Sequence, residues 1–340
     1  MSVYEAVPPE VEDPDLWLAE GELLADVRTG EFLNVTVFPQ VNYVVPGLIP
    51  EGLTLLSGPP KAGKSLLIYN IAMAAAAGGA ALGSIRIPEP IDVLYLALED
   101  GDRRVQARAR RAAEGEPIPA GFHYLTRAQP GRASATIKAW LKRRAQPERA
   151  LVVIDTAQRV RPRQSAGANV YGEDYVFGTS MKDIPDTYPG MALIAVHHTR
   201  KGGSADFVES TSGSNGLTGS ADTIMVLSRQ RHTGEGTLQV TGRDIAEVEY
   251  LLAAIDGGGW RLAGGSLEAA RQAADEARAT SGLGDNSAAI VAAVQAFPGC
   301  SPSIIADKTG IERNNVNQTL HRLVNGGRLT KEGRGSYFVA

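Results

Sequence analysis

The segment Gly58 to Ser65 constrains this chain more than any other. It reads Gly-Pro-Pro-Lys-Ala-Gly-Lys-Ser and matches the pattern G-x-x-x-x-G-K-[ST]. The apolar run Leu53 to Ser57 precedes it, and the helical run Leu66 to Ala77 follows it. A strand, loop and helix in this order let backbone amides and a helix N-terminus surround phosphate groups. The segment therefore predicts a phosphate-binding P-loop rather than an incidental glycine-rich turn.

The residue types in this loop predict the cofactors ATP and Mg²⁺. Lys64 would reach the β- and γ-phosphates of ATP, and the hydroxyl of Ser65 would bind Mg²⁺. The residues expected to contact the nucleotide are Gly58, Pro59, Pro60, Lys61, Ala62, Gly63, Lys64, Ser65 and Leu66.

Two further strands are predicted to end in acids. Asp155 follows the run Leu151 to Ile154, on a strand expected to neighbour the P-loop strand, and is the candidate magnesium-side carboxylate. Glu99 and Asp100 follow the run Val93 to Leu98. We prefer Glu99 as the general base because it comes directly after the strand. The alternatives are that Asp155 caps the next turn, and that Asp100 caps a helix while Glu99 is only solvated.

The fold class predicted between Leu53 and Trp260 is α/β. Continuous apolar runs alternate there with helical stretches, which indicates a buried, mainly parallel sheet. The expected strands are Leu53 to Ser57, Val93 to Leu98, Leu151 to Ile154, Leu193 to Val196, Thr223 to Leu227 and Thr237 to Val240.

Composition excludes several other classes of protein. The 340 residues carry a formal charge of −4, so any nucleic-acid-binding surface must be local. The single cysteine, Cys300, excludes an internal disulfide and fits a reducing compartment as a plain buried thiol. The start of the chain lacks the pattern of a secretion signal, and the most apolar stretch, Ile71 to Ile85, is too short to span a membrane. We predict a cytoplasmic protein.

Taken together, these motifs resemble those of the RecA-like ATPases in the plasmid RepA and DnaB replicative helicase group. The resemblance covers about residues 40 to 262 and includes Leu-Ala-Leu-Glu-Asp, Val-Val-Ile-Asp-Thr and the run His197 to Lys201. It implies that Glu99 is the catalytic base, and it supports Asp155 as the magnesium-side carboxylate. It also implies a γ-phosphate sensor, which we assign to His198. Without the resemblance, His197 and His198 would be interpreted as structural histidines at a strand end.

The same resemblance implies an arginine finger and a ring. Arg243 follows the predicted strand Thr237 to Val240 and would act on the nucleotide of the neighbouring subunit. A finger in trans requires a homo-oligomer, and the resemblance implies a hexamer. The alternative is that Arg243 simply pairs with Asp244 in a strand-end turn.

Two segments that follow strand ends, Gln158 to Gly178 and Arg200 to Gly219, are predicted to be mobile loops. In RecA-like motors such loops line the channel and bind single-stranded DNA. The candidate phosphate contacts are Arg161, Arg163, Arg200 and Lys201. Exposed basic residues are also common on loops that bind nothing.

The last segment has helix-turn-helix spacing followed by a predicted β-hairpin, and so resembles a winged helix. Its third predicted helix, Glu312 to Asn325, would present Arg313, Asn314, Asn317 and Gln318 to a major groove of duplex DNA. Arg334 in the hairpin would touch the DNA backbone or minor groove. The alternative is a protein-docking module.

The predicted organisation is an arm over residues 1–45, an ATPase domain over 46–263, a helix and linker over 264–286, and a winged-helix domain over 287–340. The leading hypothesis is an ATP-driven DNA helicase that acts in replication of a plasmid, phage or mobile element. The alternative is a DNA-binding ATPase that regulates or assists recombination by changing its oligomeric state. A small-molecule kinase lacks an evident acceptor pocket or lid motif.

Overall fold

The computed structural model describes residues 24–25, 27–129, 131–161, 170–197, 215–230, 234–255, 259–280, 285–333 and 335–340. The chain divides after Gln40 into two compact units. None of the helices within the described ranges is long and apolar enough to cross a membrane.

The described residues form helices and strands that alternate through the first two thirds of the chain. The helices are α1 (Gly30–Val35), α2 (Lys64–Ala77), α3 (Asp102–Ala112), α4 (Ala133–Leu141), α5 (Ala157–Val160), α6 (Val170–Thr187), α7 (Asn215–Ser220), α8 (Leu267–Thr280), α9 (Asp285–Ala296), α10 (Pro302–Thr309) and α11 (Arg313–Asn325). The strands are β1 (Tyr43–Val45), β2 (Ile49–Pro50), β3 (Gly52–Ser57), β4 (Ala80–Ala81), β5 (Ile85–Arg86), β6 (Val93–Ala97), β7 (Phe122–Leu125), β8 (Leu151–Asp155), β9 (Ala192–Val196), β10 (Thr223–Arg229), β11 (Glu235–Gly242), β12 (Val248–Ala254), β13 (Trp260–Leu262), β14 (Leu329–Glu332) and β15 (Ser336–Val339).

A nine-stranded sheet in the order β13-β12-β11-β10-β3-β9-β8-β6-β7 organises the larger unit. The strands from β10 to β7 pair in parallel, and β11, β12 and β13 extend the sheet as antiparallel neighbours. The predicted α/β class with a mainly parallel sheet is therefore confirmed. The antiparallel strands β12 and β13 and the parallel edge strand β7 were not predicted.

Helices cover both faces of this sheet. Alternate residues of each strand point to opposite faces, so Val93 and Tyr95 pack in the cluster that contains α2 and α3, while Leu94 and Leu96 pack in the cluster that contains α4 and α6. Burial on both faces explains why the strands read as continuous apolar runs.

One expectation about the sheet is wrong. We expected the strand of Asp155 to neighbour the P-loop strand, but β9 lies between β3 and β8 and pairs with both in parallel. The apolar run of β9 carries no mark of its place in the sheet, because a parallel strand that is buried on both faces looks the same in any central position.

The C-terminal helices form a separate hydrophobic cluster. Side chains from α9, α10, α11 and β14 pack together in it, including Ile290, Ile305, Leu320 and Leu329. β14 pairs with β15 in an antiparallel hairpin, and Cys300 forms an isolated bridge to Tyr337. Before this cluster, α8 buries Ala270 and Ala274 along one side.

The described part of the smaller unit centres on α1. The Thr29 hydroxyl accepts a hydrogen bond of 3.2 Å from the Phe32 amide, which caps this helix at its N-terminus. The rings of Phe32 and Phe38 meet edge to face with their centroids 6.2 Å apart.

In the larger unit, β1 pairs antiparallel with β2.

Candidate nucleotide-binding and catalytic site

The P-loop joins the end of β3 to the start of α2, and two of its positions require glycine. Gly58 has φ 147°, and a Cβ there would lie 2.2 Å from the carbonyl oxygen of Leu227. Gly63 has φ 98°, and a Cβ there would lie 2.8 Å from Nε1 of Trp260. Any other residue at either position would meet a strained backbone and a neighbouring atom. The motif glycines are thus needed to fit the loop against β10 and β13.

Lys64 is buried at the start of α2 with its ammonium inside the loop. Nζ donates hydrogen bonds to the carbonyl oxygens of Gly58 at 2.6 Å and Pro59 at 3.2 Å. Burial lowers the pKa of Lys64 to about 8, although the charges of Asp155 and Glu99 act in the opposite direction. A buried cation with a lowered pKa gains strongly from an incoming anion.

Asp155 ends β8 beside the P-loop and is also buried. Burial raises the pKa of its carboxyl, while hydrogen bonds from Tyr95 and Ser65 favour the charged form. The Tyr95 hydroxyl donates to Oδ2 of Asp155 at 2.8 Å. Burial and the Asp155 charge hold the pKa of Tyr95 well above its usual range, so this phenol keeps its proton. The register Ala97↔Asp155 brings the ends of β6 and β8 together.

Glu99 and Asp100 occupy different environments just after β6. The side chain of Glu99 is 45% exposed, accepts a hydrogen bond from the Thr156 hydroxyl at 3.3 Å and lies 3.7 Å from Nε of Arg159. The side chain of Asp100 is 5% exposed and pairs with Arg104 and Arg108. Glu99 can therefore meet a reactant at the sheet edge, whereas Asp100 is held by two guanidinium groups.

The donor set beside the P-loop fits a hard divalent cation such as Mg²⁺. Ser65 offers a hydroxyl and Asp155 a carboxylate, and these two groups are joined by a hydrogen bond. Within the described ranges no group of three or more His, Cys, Asp or Glu side chains could hold a metal ion. Mg²⁺ commonly binds through one or two protein oxygens together with substrate phosphates and water.

The predicted sensor histidine follows the end of β9. The His197 amide donates to the carbonyl oxygen of Leu56 at 2.8 Å, which places His197 at the edge of the sheet where the P-loop begins. His198 lies outside the described residues, so the assignment to it stays a prediction.

Arg243 and the P-loop lie at opposite ends of the strands of the sheet. Arg243 follows Gly242, which pairs with Thr223, and Thr223 pairs in turn with Thr54 near the start of β3. The P-loop begins after the end of β3, about 13 Å further along at ~3.3 Å per residue. The guanidinium of Arg243 is 3.7 Å from the carboxylate of Asp222 rather than paired with Asp244. It also donates a hydrogen bond to the carbonyl oxygen of Gly219 at 3.4 Å. Arg243 thus lies at the end of these strands that is remote from the P-loop of the same chain.

The structure describes one of the four predicted loop contacts to single-stranded DNA. Arg161 forms an ion pair with Asp174, and its side chain is 22% exposed, so its charge is directed at α6. Arg163, Arg200 and Lys201 lie outside the described residues.

The predicted duplex-binding residues share one face of α11. Arg313, Asn314, Asn317 and Gln318 are all exposed, while Val316 and Leu320 are buried in the C-terminal cluster. The helical period therefore gives α11 a polar outer face as expected. Arg334 lies outside the described residues.

Two residues near the site were not identified from the sequence. Tyr95 stands inside an apolar strand, where an aromatic residue is ordinary core, and only the strand register shows that it reaches Asp155. Arg159 follows Asp155 by four residues and approaches Glu99. Its closeness to a predicted strand end was the available signal.

Comparison with known proteins assigns the family. A family model described as an AAA domain matches residues 20–204, more than half of the chain. The chain belongs to this AAA domain family, and its sheet and P-loop have the arrangement of a RecA-like P-loop ATPase. No curated protein matches the sequence.

Two solved structures are distantly similar. A DnaB-like replicative helicase shares 14% identity at a TM-score of 0.49, over 62% of this chain and 57% of its own. The RadB recombinase shares 16% identity at a TM-score of 0.43, over 61% of this chain and 89% of its own. This chain thus spans little more than half of the helicase chain.

Proposed function

We propose that this protein is an ATP-dependent DNA helicase or translocase motor that acts in replication of a plasmid, phage or mobile element. In this proposal ATP is hydrolysed at the subunit interfaces of a ring. The main support is that Arg243 and the P-loop lie at opposite ends of the strands of one sheet. A nucleotide site that needs both is incomplete in one subunit and is completed by a head-to-tail neighbour.

The residues around the P-loop suit hydrolysis of ATP by water. The loop amides and Lys64 would hold the phosphates, and Ser65 and Asp155 would hold Mg²⁺, which neutralises charge that develops on the phosphates. Glu99 would orient a water molecule and take its proton as the water oxygen bonds to the γ-phosphorus. The bond to the bridging oxygen breaks, which releases ADP. His198 would sense the γ-phosphate, and Arg243 from the neighbouring subunit would neutralise transition-state charge.

DNA binding is proposed at two places. Single-stranded DNA would lie in the ring channel against the loops that carry Arg163, Arg200 and Lys201. Arg161 contributes there only if it leaves Asp174. Duplex DNA would meet the polar face of α11, and Arg334 would contact the DNA backbone or minor groove, as in a winged helix.

A second function is favoured by the packing of α11. This helix belongs to a hydrophobic cluster that is separate from the two clusters on the faces of the sheet. A DNA-binding ATPase that regulates or assists recombination could bind duplex DNA through this cluster and use ATP only to change its oligomeric state. Both functions need a working P-loop, but only the motor separates strands.

Strand displacement on a forked duplex distinguishes the two functions. The motor is expected to displace a strand with ATP, and the Lys64→Ala and Glu99→Gln variants are expected not to. Mass measurement with ATP, with and without single-stranded DNA, should show a closed ring of about six subunits. Turnover that DNA stimulates without strand displacement would favour the regulator. A Lys64→Ala protein that hydrolyses ATP like its parent would refute both.

A further inference from the structure

The Tyr95 side chain lies where it can control the geometry of Asp155. β6 and β8 are parallel neighbours in which Tyr95 pairs with Val153, two residues before Asp155. Residues two apart on a strand point to the same face, so Tyr95 and Asp155 both face the α2 layer. A diagonal neighbour in a sheet is within reach of an aromatic side chain. The hydroxyl thus meets Oδ2 of Asp155 at 2.8 Å.

The ring of Tyr95 is fixed by its neighbours. It is fully buried and stacks on Tyr69, with the centroids 4.4 Å apart and the planes 26° from parallel. Phe122 packs against it from β7 at 6.1 Å. Because the ring cannot swing away, the hydroxyl donates from a fixed point, and the carboxylate of Asp155 is held in one orientation.

We propose that Tyr95 is a positioning residue for the divalent cation of this ATPase, acting through its hydrogen bond to Asp155. By occupying Oδ2, Tyr95 fixes the rotation of the carboxylate and so sets which oxygen meets the cation beside Ser65. Partners that orient a metal ligand in this way commonly change metal affinity by about 10- to 100-fold. The inference rests on the proposed function, because it requires Asp155 to hold the cation.

The neighbouring tyrosine provides a matched control. Tyr69 is buried in the same stack, and its hydroxyl has no hydrogen-bond partner among the described residues. Tyr95→Phe and Tyr69→Phe each remove one buried hydroxyl and keep the ring. Only Tyr95→Phe removes a contact with Asp155.

The test measures Mn²⁺ binding to the ADP-loaded full-length protein by electron paramagnetic resonance, which does not depend on turnover. Tyr95→Phe should weaken Mn²⁺ binding about 10- to 100-fold, while Tyr69→Phe should not. ADP affinity in EDTA, measured by calorimetry, should be equal in both. Because Tyr95 acts through Asp155, adding Tyr95→Phe to Asp155→Asn should cause no further loss.

Each other outcome has a defined meaning. Parental Mn²⁺ affinity in Tyr95→Phe overturns the positioning role, as does an equal loss in Tyr69→Phe. Loss of the folded state in Tyr95→Phe alone, followed by circular dichroism, would show a structural role and also overturn it. If the parent binds no Mn²⁺ with ADP, or Asp155→Asn binds it normally, the proposed function itself fails.

Discussion

Arg104 donates a hydrogen bond of 3.1 Å to the carboxylate of Asp100, the residue next to Glu99. Arg108 pairs with the second oxygen of the same carboxylate. These two ion pairs hold the Asp100 side chain against α3. The structure therefore separates two adjacent acids: Asp100 is held in ion pairs, whereas Glu99, the predicted general base, has a side chain that is 45% exposed.

Substitution of these two acids should separate their roles. Glu99→Gln should slow ATP hydrolysis by about 10² to 10⁴, because a general base contributes on this order, while ATP binding persists. Asp100→Asn should keep turnover but lower the free energy of unfolding by about 1–3 kcal/mol, since it weakens charge-assisted hydrogen bonds. Steady-state hydrolysis and thermal unfolding check the pair. The reverse pattern would make Asp100 the base.

Nucleotide binding should weaken in alkaline solution. The pKa of Lys64 is lowered from 10.5 to about 8 by burial, so the nucleotide-free protein loses this proton near pH 8. Phosphates favour the charged lysine, so binding above that pH takes up a proton, and affinity should fall by up to about tenfold per pH unit. Calorimetric titration with ADP from pH 7 to 10 measures this, since ADP is fully ionised above pH 8.

In the absence of nucleotide, the effect of rising pH on the free energy of unfolding has the opposite sign to its effect on nucleotide affinity. Between about pH 8 and 10.5 the unfolded chain binds more protons at Lys64 than the folded protein does. The contribution of this residue to the free energy of unfolding should therefore rise with pH across that window. An ADP affinity that stays constant up to pH 10 would show that Lys64 is not the phosphate contact.

A finger that acts in trans can be tested by mixing inactive subunits. Arg243→Ala and Glu99→Gln should each lose hydrolysis, the former by about 10³ to 10⁵. In mixed rings, an intact Arg243 from a Glu99→Gln subunit faces an intact site in its neighbour, so part of the activity should return. A finger that serves its own subunit would give no recovery. Asp244→Ala, an exposed neighbour, controls for damage to the turn.

The face of α11 should distinguish phosphate contacts from base contacts. Arg313→Ala should weaken duplex binding uniformly and reduce the salt slope by about 1, whereas Asn317→Ala should change sequence preference by about 1–3 kcal/mol. Fluorescence anisotropy over a salt series measures both. Arg278→Ala on α8 removes an exposed arginine elsewhere and should leave binding unchanged. If all three variants bind like the parent, α11 does not contact DNA.

Cys300 should react slowly with thiol reagents in the folded protein. It is 6% exposed, and burial raises the pKa of its thiol. Modification by a disulfide reagent should be more than about tenfold slower than in the unfolded chain, because only the thiolate reacts. Fast modification of the native protein would show that the C-terminal cluster opens readily.

Local patterns in the sequence were sufficient to predict the class of fold. Continuous apolar runs such as Leu151 to Ile154 indicated buried parallel strands, and the P-loop set the order of strand, loop and helix. The order of strands in space was not available, because β9 enters between β3 and β8 without any local signal. β12 was missed because it is only partly buried and carries Glu249, so it does not form the continuous apolar run of a strand that is buried on both faces.

The site was predictable where the chemistry follows a strand end. Glu99 and Asp155 were predicted from strand ends and Lys64 and Ser65 from the P-loop motif, and the structure brings the four side chains together at one edge of the sheet. Their roles stay predictions. Arg161 shows the limit of such reasoning, because its ion pair with Asp174 depends on how α6 packs. The role of Tyr95 likewise depends on register between two strands that are more than 50 residues apart.

The packing of Trp260 on Gly63 gives the molecule an optical reporter of its own. The sequence has three tryptophans, of which Trp17 and Trp140 can be replaced by phenylalanine to leave a single indole beside the P-loop. Because indole emission responds to nearby charge and hydration, occupancy of the phosphate loop should be visible as a change in fluorescence without any attached dye. The same tight fit that excludes a side chain at Gly63 would then let each step of nucleotide exchange be followed in real time.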